Sequence, residues 1–529
     1  MSVAAPPKGN LASLRMSSLH PKDLVVPLLL GTAAISGFFV ISRSWSVMFI
    51  CLSVAVAALY WNRPHVLVYI TAGLVCLSLP RPLPASLSFA GQTFRLYEPF
   101  LLLTAAFVLL STSRRRRSDR AAGLIAAVVV VWALLGLLRG NPFDRVTTDV
   151  RQLLYLAIAV FVAGRLANTG LLRQTSKAVR IALWISATVT AAASASIVQV
   201  AGRAVEIGSS GDEAIRLLTP ATYPSLAVLL VIIGMAITGW ASPAKTWSYW
   251  IPALVIVFLS FSRNNIIAIA VTLAFLLLAV GAKKWLRKII IAIGALSIVS
   301  LLIYLALPNL RLLPVFDWIE TQADGYRSQV LDGLSTSAIS TDSSAQYRLQ
   351  EENPYMLEAI QQSPVFGHGF GYAYRPLSTG RSATLADVSL RYYAHNYYLW
   401  ILVKAGIFGA IMTLAVFFAP LWIAWRSKAR AAVCSAAAVA GLLACSVVVP
   451  MPNGAPTAVV LGLLVGYSLV IREATHFGVE TPIECFNSDS SESSDLEKSF
   501  ESRSLREMKN STTTKISLRD RDGSSASSP

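Results

Sequence analysis

Charged residues are scarce in this chain. Only 14% of its 529 residues are Asp, Glu, Lys or Arg, whereas an ordinary globular protein carries about 25%. Apolar runs of roughly 16 to 22 residues recur almost from end to end, and each is long enough to cross a bilayer at about 1.5 Å per residue. A soluble fold is therefore excluded. The composition predicts an all-α integral membrane protein, a polytopic bundle of about 12–14 transmembrane helices with one large extracytoplasmic loop.

Cysteine is also rare, with five residues in the chain. None has metal-ligand spacing and four lie inside apolar runs, so the sequence predicts neither a disulfide framework nor a cysteine metal site. Asp520 and Asp522 resemble the acidic pair that some glycosyltransferases use to bind a metal. They lie in the C-terminal tail, on the opposite predicted side of the membrane from the large loop, and are set aside. No metal and no cofactor are expected.

Acidic residues are outnumbered by basic ones, 28 against 45, which gives a formal net charge of +17. The basic residues lie in short clusters between apolar runs, and the strongest cluster runs from Arg114 to Arg117. Clusters of this kind mark cytoplasmic loops in membrane proteins. A nucleic-acid-binding function is therefore not favoured, although the net charge alone would allow it.

These clusters predict fourteen spans with both termini in the cytoplasm. The spans are predicted at 24–41, 45–61, 64–79, 97–112, 121–138, 152–168, 181–200, 221–240, a broken pair within 249–281, 289–306, 397–420, 431–449 and 457–471. Residues 81–96 and 201–220 are predicted outer loops. The resulting divisions are a cytoplasmic segment 1–23, a bundle 24–306, a large extracytoplasmic loop with short helices 307–395, three spans within 396–471 and a disordered cytoplasmic tail 472–529.

Chemistry is expected in or beside the large loop, which contains two of the five histidines, His368 and His395. His395 stands where the loop re-enters the membrane, beside several tyrosines. Imidazole has an unperturbed pKa close to working pH, which suits a general base. Taken alone, His395 also fits an interfacial histidine in an aromatic belt, and both readings stay open at this point.

A short helix is predicted at 353–362, because Asn353 is a capping residue and Pro354 suits the first helical position. The glycine-rich stretch 364–371 follows. It is either a turn that needs positive φ or a loop that approaches a ligand closely, with His368 facing it. The apolar residues predicted to face the bundle are Met356, Leu357 and Ile360.

Two arginines indicate an anionic ligand at the outer leaflet. Arg263 interrupts the apolar stretch 249–281 at its middle, and a charge at membrane depth is costly and usually functional. Arg216 enters an apolar run from the same side. A structural ion pair is the alternative, with Asp212 or Glu213 for Arg216. The outer loops carry arginine but no lysine, and the guanidinium fork suits phosphate better than an ammonium does.

The order of these motifs resembles that of the O-antigen ligase and polymerase family of bacterial envelopes. His395-Asn396 is followed after nine residues by Gly406-x-x-Gly409, which resembles the family signature. The resemblance covers roughly residues 95–470. The other features that carry it are Ser262-Arg263 between paired short spans, the Arg216 segment, and Arg348 ahead of the glycine-rich stretch.

Members of this family take a glycan from an undecaprenyl-diphosphate carrier at the outer face of the bacterial plasma membrane. Ligases join it to lipid A core, and polymerases join it to another carrier-bound chain; the sequence leaves this choice open. The resemblance implies a metal-independent, inverting glycosyltransferase. His395 would deprotonate the acceptor hydroxyl, and Arg216 and Arg263 would bind the diphosphate. The second-rank substrate-binding residues that it implies are Arg391, His368 and Arg348.

The implied partners are a polyprenyl-diphosphate-linked glycan donor, a glycan or lipid-linked acceptor, and membrane lipids. The competing function is a transporter or flippase of an anionic lipid-linked saccharide, which would also need arginines in an outer cavity. It would not need a histidine at a loop–membrane junction, and polar residues should extend to mid-bilayer in several of its spans. The predicted spans contain few such residues, and a structural scaffold leaves Arg263 unexplained. Glycan transfer is therefore favoured.

Overall fold

The computed structural model describes residues 64–81, 83, 86–89, 92–111, 117–167, 171–200, 203–207, 214–281, 314–335, 343–376 and 391–476. Three predicted spans, at 24–41, 45–61 and 289–306, lie outside these residues. The N-terminal segment 1–23 and the tail beyond residue 476 lie outside them as well.

Each predicted span within the described residues coincides with a helix. Before the large loop these helices are α1 Pro64–Val75, α2 Tyr97–Ser111, α3 Arg117–Leu138, α4 Phe143–Leu166, α5 Leu172–Ser194, α6 Thr222–Thr238, α7 Trp247–Leu259 and α8 Arg263–Val280. The loop contributes α9 Pro314–Tyr326, α10 Ser343–Tyr347 and α11 Asn353–Gln362, and the last helices are α12 Tyr397–Ser427, α13 Arg430–Cys445 and α14 Ala455–His476.

Four of the described helices are long and apolar enough to cross a membrane: α3, α4, α8 and α12. Shorter apolar helices, among them α6, α7, α13 and α14, pack around them. This composition is that of an all-α membrane protein. The orientation of the helices relative to the two sides of the membrane stays a prediction.

Glycines let the helices approach closely at the centre of the bundle. Helix α14 packs along α4, and a Cβ at Gly466 would lie only 2.2 Å from the carbonyl oxygen of Val160. Gly462 makes a similar approach to Leu156. Small residues are typical of helix–helix contacts in membranes, where close backbone packing replaces the hydrophobic driving force.

Two predicted outer loops contain antiparallel β-hairpins. Strands β1 Ser86–Phe89 and β2 Gln92–Arg95 form the first, and β3 Arg203–Ile207 and β4 Ala214–Leu218 form the second. Arg216 therefore lies on a strand rather than in a plain loop. In β4, Ala214 and Leu217 are buried, so burial of apolar side chains against the bundle stabilises the second hairpin.

The predicted helix at 353–362 is present as α11, but its start differs from the prediction. Asn353 is helical and caps nothing, because a π-helical turn, Arg348–Glu352, joins α10 to α11 without a break. Met356 is fully buried and Ile360 half-buried, as predicted. Leu357 is 49% exposed, which the sequence did not predict.

Helix α12 is interrupted at Gly406, whose φ of 62° and ψ of −169° are not helical. The glycine-rich stretch 364–371 lies in this interruption and satisfies backbone groups that the helix leaves unpaired. The bonds run from His368 N to Val403 O (2.9 Å), from Gly369 N to Lys404 O (2.8 Å) and from Ile407 N to Pro364 O (2.9 Å). Gly367, Gly369 and Gly371 all have positive φ, so the predicted glycine turn is confirmed.

Candidate active site

A cavity of about 490 Å³ lies where β4, the α7–α8 junction, the segments 329–333 and 345–353, and the start of α12 meet. The structure brings four of the residues proposed from sequence to its wall: Arg216, Arg263, Arg348 and His395. It also brings Glu352, which sequence reasoning missed.

The turn between α7 and α8 positions Arg263. Phe261 occupies it with a positive φ of 41°, a conformation that is uncommon for a bulky residue. Its buried ring packs edge-on against Tyr326 of α9. The Asn265 amide donates to Ser260 Oγ at 3.0 Å and closes the turn from the other side. Arg263 is consequently the first residue of α8, at the helix end where the macrodipole favours anions.

Backbone carbonyls hold the two predicted arginines by their Nε atoms. Arg216 donates to Ser260 O at 3.2 Å, and Arg263 donates to Gln329 O at 2.8 Å. Gly333 lies directly against the Arg263 guanidinium, since a Cβ there would fall 2.5 Å from Nε. The segment after α9 therefore packs on Arg263 and fixes its direction.

His395 forms a two-point contact with Glu352. Its Nδ1–H donates to one carboxylate oxygen and its backbone N–H donates to the other, both at 2.6 Å. Glu352 is fully buried, whereas the His395 side chain is 24% exposed. A buried carboxylate needs such partners. With Nδ1 as the donor, a neutral imidazole carries its lone pair on Nε2, the atom that can accept a proton.

The residues after His395 explain the His-Asn…Gly-x-x-Gly pattern. Asn396 caps α12, because its Oδ1 accepts from Tyr398 N at 3.0 Å and Leu399 N at 3.2 Å. Gly406 provides the interruption of α12, and Gly409 lies against the Trp132 ring of α3. The pattern therefore combines a chemically competent side chain, the cap that fixes its position, and two glycines that seat the following helix.

The cavity combines positive charge with an apolar wall. Arg216, Arg263 and Arg348 outnumber the one described lining carboxylate, Glu352. The apolar lining residues include Ile267 and Val447, which are 36% and 50% exposed. Such a cavity suits an amphiphile whose anionic head lies among the arginines and whose apolar part leaves along the exposed side chains. Among the described residues, no group of three or more His, Cys, Asp or Glu is placed to hold a metal ion.

Residues 248–414 match the family model described as O-antigen ligase. The match supports a relationship of this chain to the O-antigen ligase and polymerase family. It confirms the resemblance found in the sequence, and no curated protein matches the chain. The matched segment includes Arg263, Arg348, Glu352, His395 and Gly406, whereas Arg216 precedes it.

The segment that matches the O-antigen ligase family also contains His368, which the structure places outside the cavity. Its Nε2 lies 2.8 Å from Ala359 O and therefore donates to that carbonyl, and its ring stacks on Tyr372 with centroids 4.0 Å apart. Burial lowers the pKa of His368, which favours the neutral ring. His368 therefore joins the glycine-rich stretch to the end of α11 and does not face the cavity.

Arg391 is the other predicted residue of this segment that does not line the cavity. Its Nε donates to the carbonyl oxygen of Arg375 at 2.9 Å. It lies four residues before His395 in the chain, and its guanidinium carbon is 5.9 Å from the centroid of the Tyr392 ring. The arginine that sequence reasoning ranked beside it, Arg348, is in the cavity wall.

One feature of the sequence points to Glu352. It follows Arg348 by four residues, so a helical segment places both side chains on one face. The neighbouring Glu351 is equally acidic and points instead to Arg375, with which it forms an ion pair at 2.6 Å. Only the fold distinguishes the two glutamates.

Proposed function

We propose that this protein is a membrane glycosyltransferase of the O-antigen ligase and polymerase type. It transfers a glycan from a polyprenyl-diphosphate carrier to an acceptor hydroxyl at the outer face of the bacterial plasma membrane. The observation that carries the proposal is that the His395–Glu352 pair and three arginines line one cavity.

His395 Nε2 removes the proton from the acceptor hydroxyl as the glycosidic bond forms. A free sugar alkoxide is too basic to exist near neutral pH, and general-base assistance is worth about 10² to 10⁴ in rate. Glu352 holds the imidazole in the tautomer that leaves Nε2 free to accept, and its charge stabilises the imidazolium that results. The acceptor oxygen bonds to the anomeric carbon, and the bond from that carbon to the phosphate oxygen breaks.

The arginines act on the leaving group. The diphosphate gains negative charge as it departs with the bonding electrons, and Arg216, Arg263 and Arg348 in the cavity wall supply positive charge and fork-shaped donors. Preorganised donors of this kind stabilise charge that develops in the transition state. In metal-dependent transferases a divalent cation neutralises this charge. Because the arginines can do so here, they support a metal-independent reaction.

The carboxylates that line the cavity fit a single displacement with inversion. Among the described lining residues the only carboxylate is Glu352, and both of its oxygens accept hydrogen bonds from His395. It is therefore placed to orient a base and not to attack a sugar. A flippase would have no evident use for this oriented histidine.

The test is transfer by purified protein in detergent, with carrier-linked glycan extracted from a strain that lacks the gene. We expect Arg263→Ala to slow the release of carrier diphosphate by about 10² to 10³, the usual effect of removing one charge-stabilising donor. Arg263→Lys should also be impaired, because an ammonium lacks the bidentate fork. The control is Arg327→Ala, an exposed arginine outside the cavity wall. Normal transfer by Arg263→Ala would contradict the proposal.

A further inference from the structure

Carboxamide side chains line the cavity, and the proposed mechanism uses none of them to bind substrate. They belong to Asn264, Gln329, Asn353 and Asn396. The Oδ1 atom of Asn396 is occupied, because it caps α12. The side chains of the other three are half-buried and form no hydrogen bond with a residue that the structure describes. A half-buried amide without a partner is a group that a bound ligand can satisfy.

Asn353 lies on the face of a helical segment that is turned toward the cavity. The lining residues of this segment are Ala345, Arg348, Leu349, Glu352 and Asn353. Side chains three or four residues apart share one face of a helix. Asn353 is the first residue of α11 and caps nothing. Its carboxamide is therefore available to the cavity beside Glu352.

Asn264 and its neighbour Asn265 have separate roles at the start of α8. Asn265 is only 3% exposed, and its amide closes the α7–α8 turn by donating to Ser260 Oγ. Asn264 is half-buried and lines the cavity together with Arg263 and Ile267. The turn accounts for Asn265, whereas nothing within the described residues accounts for the carboxamide of Asn264.

A carboxamide suits a sugar hydroxyl better than a phosphate oxygen. Its NH₂ group donates and its oxygen accepts, and a hydroxyl group likewise does both. An ionised phosphate oxygen only accepts, so it would leave the amide oxygen unpaired, and the cavity arginines already supply donors to it. The Glu352 carboxylate is not a substitute acceptor, because both of its oxygens accept from His395.

The proposed reaction places a sugar ring in this cavity. The carbon that reacts is bonded to the diphosphate, and it receives the oxygen that His395 deprotonates. Since the base and the arginines line one cavity, the donor sugar lies in it as well. Two of the carboxamides adjoin these groups in the chain, Asn264 after Arg263 and Asn353 after Glu352.

We propose that Asn264, Gln329 and Asn353 bind the hydroxyl groups of the donor sugar that is attached to the diphosphate. These contacts distinguish a carrier that bears a glycan from the sugar-free carrier that remains after transfer. Losing them weakens the binding of the spent carrier and favours its release. The inference rests on the proposed function and assigns to that site the residues that recognise the transferred sugar.

The test compares the binding of two ligands to one purified preparation in detergent. The first is carrier-linked glycan from the deletion strain, and the second is undecaprenyl diphosphate, which has the lipid and the diphosphate but no sugar. The double variant Asn264→Ala with Asn353→Ala should raise the Kd for carrier-linked glycan at least about tenfold, the effect of losing two hydrogen bonds. Its Kd for undecaprenyl diphosphate should equal that of the wild-type protein. Neither side chain caps its helix, so alanine is compatible with the fold at both positions.

Two further variants make the result specific. Gln350→Ala removes an exposed carboxamide of the same helical segment, outside the cavity wall, and should change neither Kd. Arg263→Ala should raise both, because it removes a contact to the diphosphate. An unchanged Kd for carrier-linked glycan in the double variant, or an equal rise in both values, would overturn the sugar assignment. Failure of the wild-type protein to bind undecaprenyl diphosphate would instead refute the proposed function itself.

Discussion

At the scale of single residues, the role of Glu352 follows from its two contacts with His395. A glutamine there could still accept from Nδ1–H, but its amide group would face the backbone N–H of the histidine, where two donors would meet. We expect Glu352→Gln to slow transfer at least about tenfold through kcat, because the imidazole is no longer held in its productive position.

The matched control is Glu358→Gln, an exposed glutamate of α11 that does not line the cavity. Its transfer rate should equal that of the wild-type protein, and the donor KM should be the same in both variants. If Glu352→Gln transferred glycan at the wild-type rate, the carboxylate would not orient the base.

The cavity residues differ in how far they could be predicted. Arg263 and His395 could be found from sequence because a charge inside an apolar stretch and a histidine at a membrane junction both need an explanation. Glu352 could not, because its four-residue spacing from Arg348 is a weak signal in a polar segment, and only the fold distinguishes it from the neighbouring Glu351. Its burial arises only when α11 packs beside α12.

At the scale of elements, the glycine-rich stretch connects α4 to the interrupted α12. Lys404 is fully buried, and its Nζ donates to Asp149 of α4 and to the carbonyl oxygen of Tyr372, both at 2.8 Å. The same Asp149 oxygen accepts from Gly371 N at 2.8 Å. Helix α11, which follows Glu352, leads directly into this stretch. The Lys404–Asp149 ion pair therefore fixes the position of Glu352 relative to His395 at the start of α12.

We predict that Lys404→Met lowers the thermal stability of the protein in detergent. Removing one partner leaves a buried charge uncompensated, which typically costs about 3–5 kcal/mol. The double variant Lys404→Met with Asp149→Leu should recover part of the loss, though not the hydrogen bond from Gly371. Lys428→Met, at an exposed lysine, is the control. Equal melting temperatures for Lys404→Met and the wild-type protein would show that the ion pair is not structural.

The helices could be predicted better than their interruptions. Long apolar runs indicated every span that the structure describes, because hydropathy alone decides that a helix forms in a membrane. The interruption at Gly406 lies inside a run that reads as one span, and it exists because another segment supplies its hydrogen bonds. The hairpin that carries Arg216 was likewise missed, since it depends on packing against the bundle.

At the scale of the whole molecule, the mechanism depends on which side of the membrane the cavity faces. The basic clusters predict that residues 307–395 are extracytoplasmic and the C-terminal tail cytoplasmic. Alkaline phosphatase fused after Asp342 should therefore be active, whereas the same enzyme fused after Glu484 should be inactive. Equal expression of both fusions, checked by immunoblot, is the control. The reverse activities would place the cavity away from the proposed carrier substrate.

The central claim is that His395 removes the acceptor proton inside a cavity that binds the diphosphate separately. Transfer and donor binding are measured on the same purified preparation of His395→Gln, with His368→Gln as the matched control. His395→Gln should bind carrier-linked glycan normally and transfer it at least about a hundredfold more slowly, because glutamine cannot accept the proton. His368→Gln, which lies outside the cavity, should lose less. A near-normal transfer rate for His395→Gln would contradict the account.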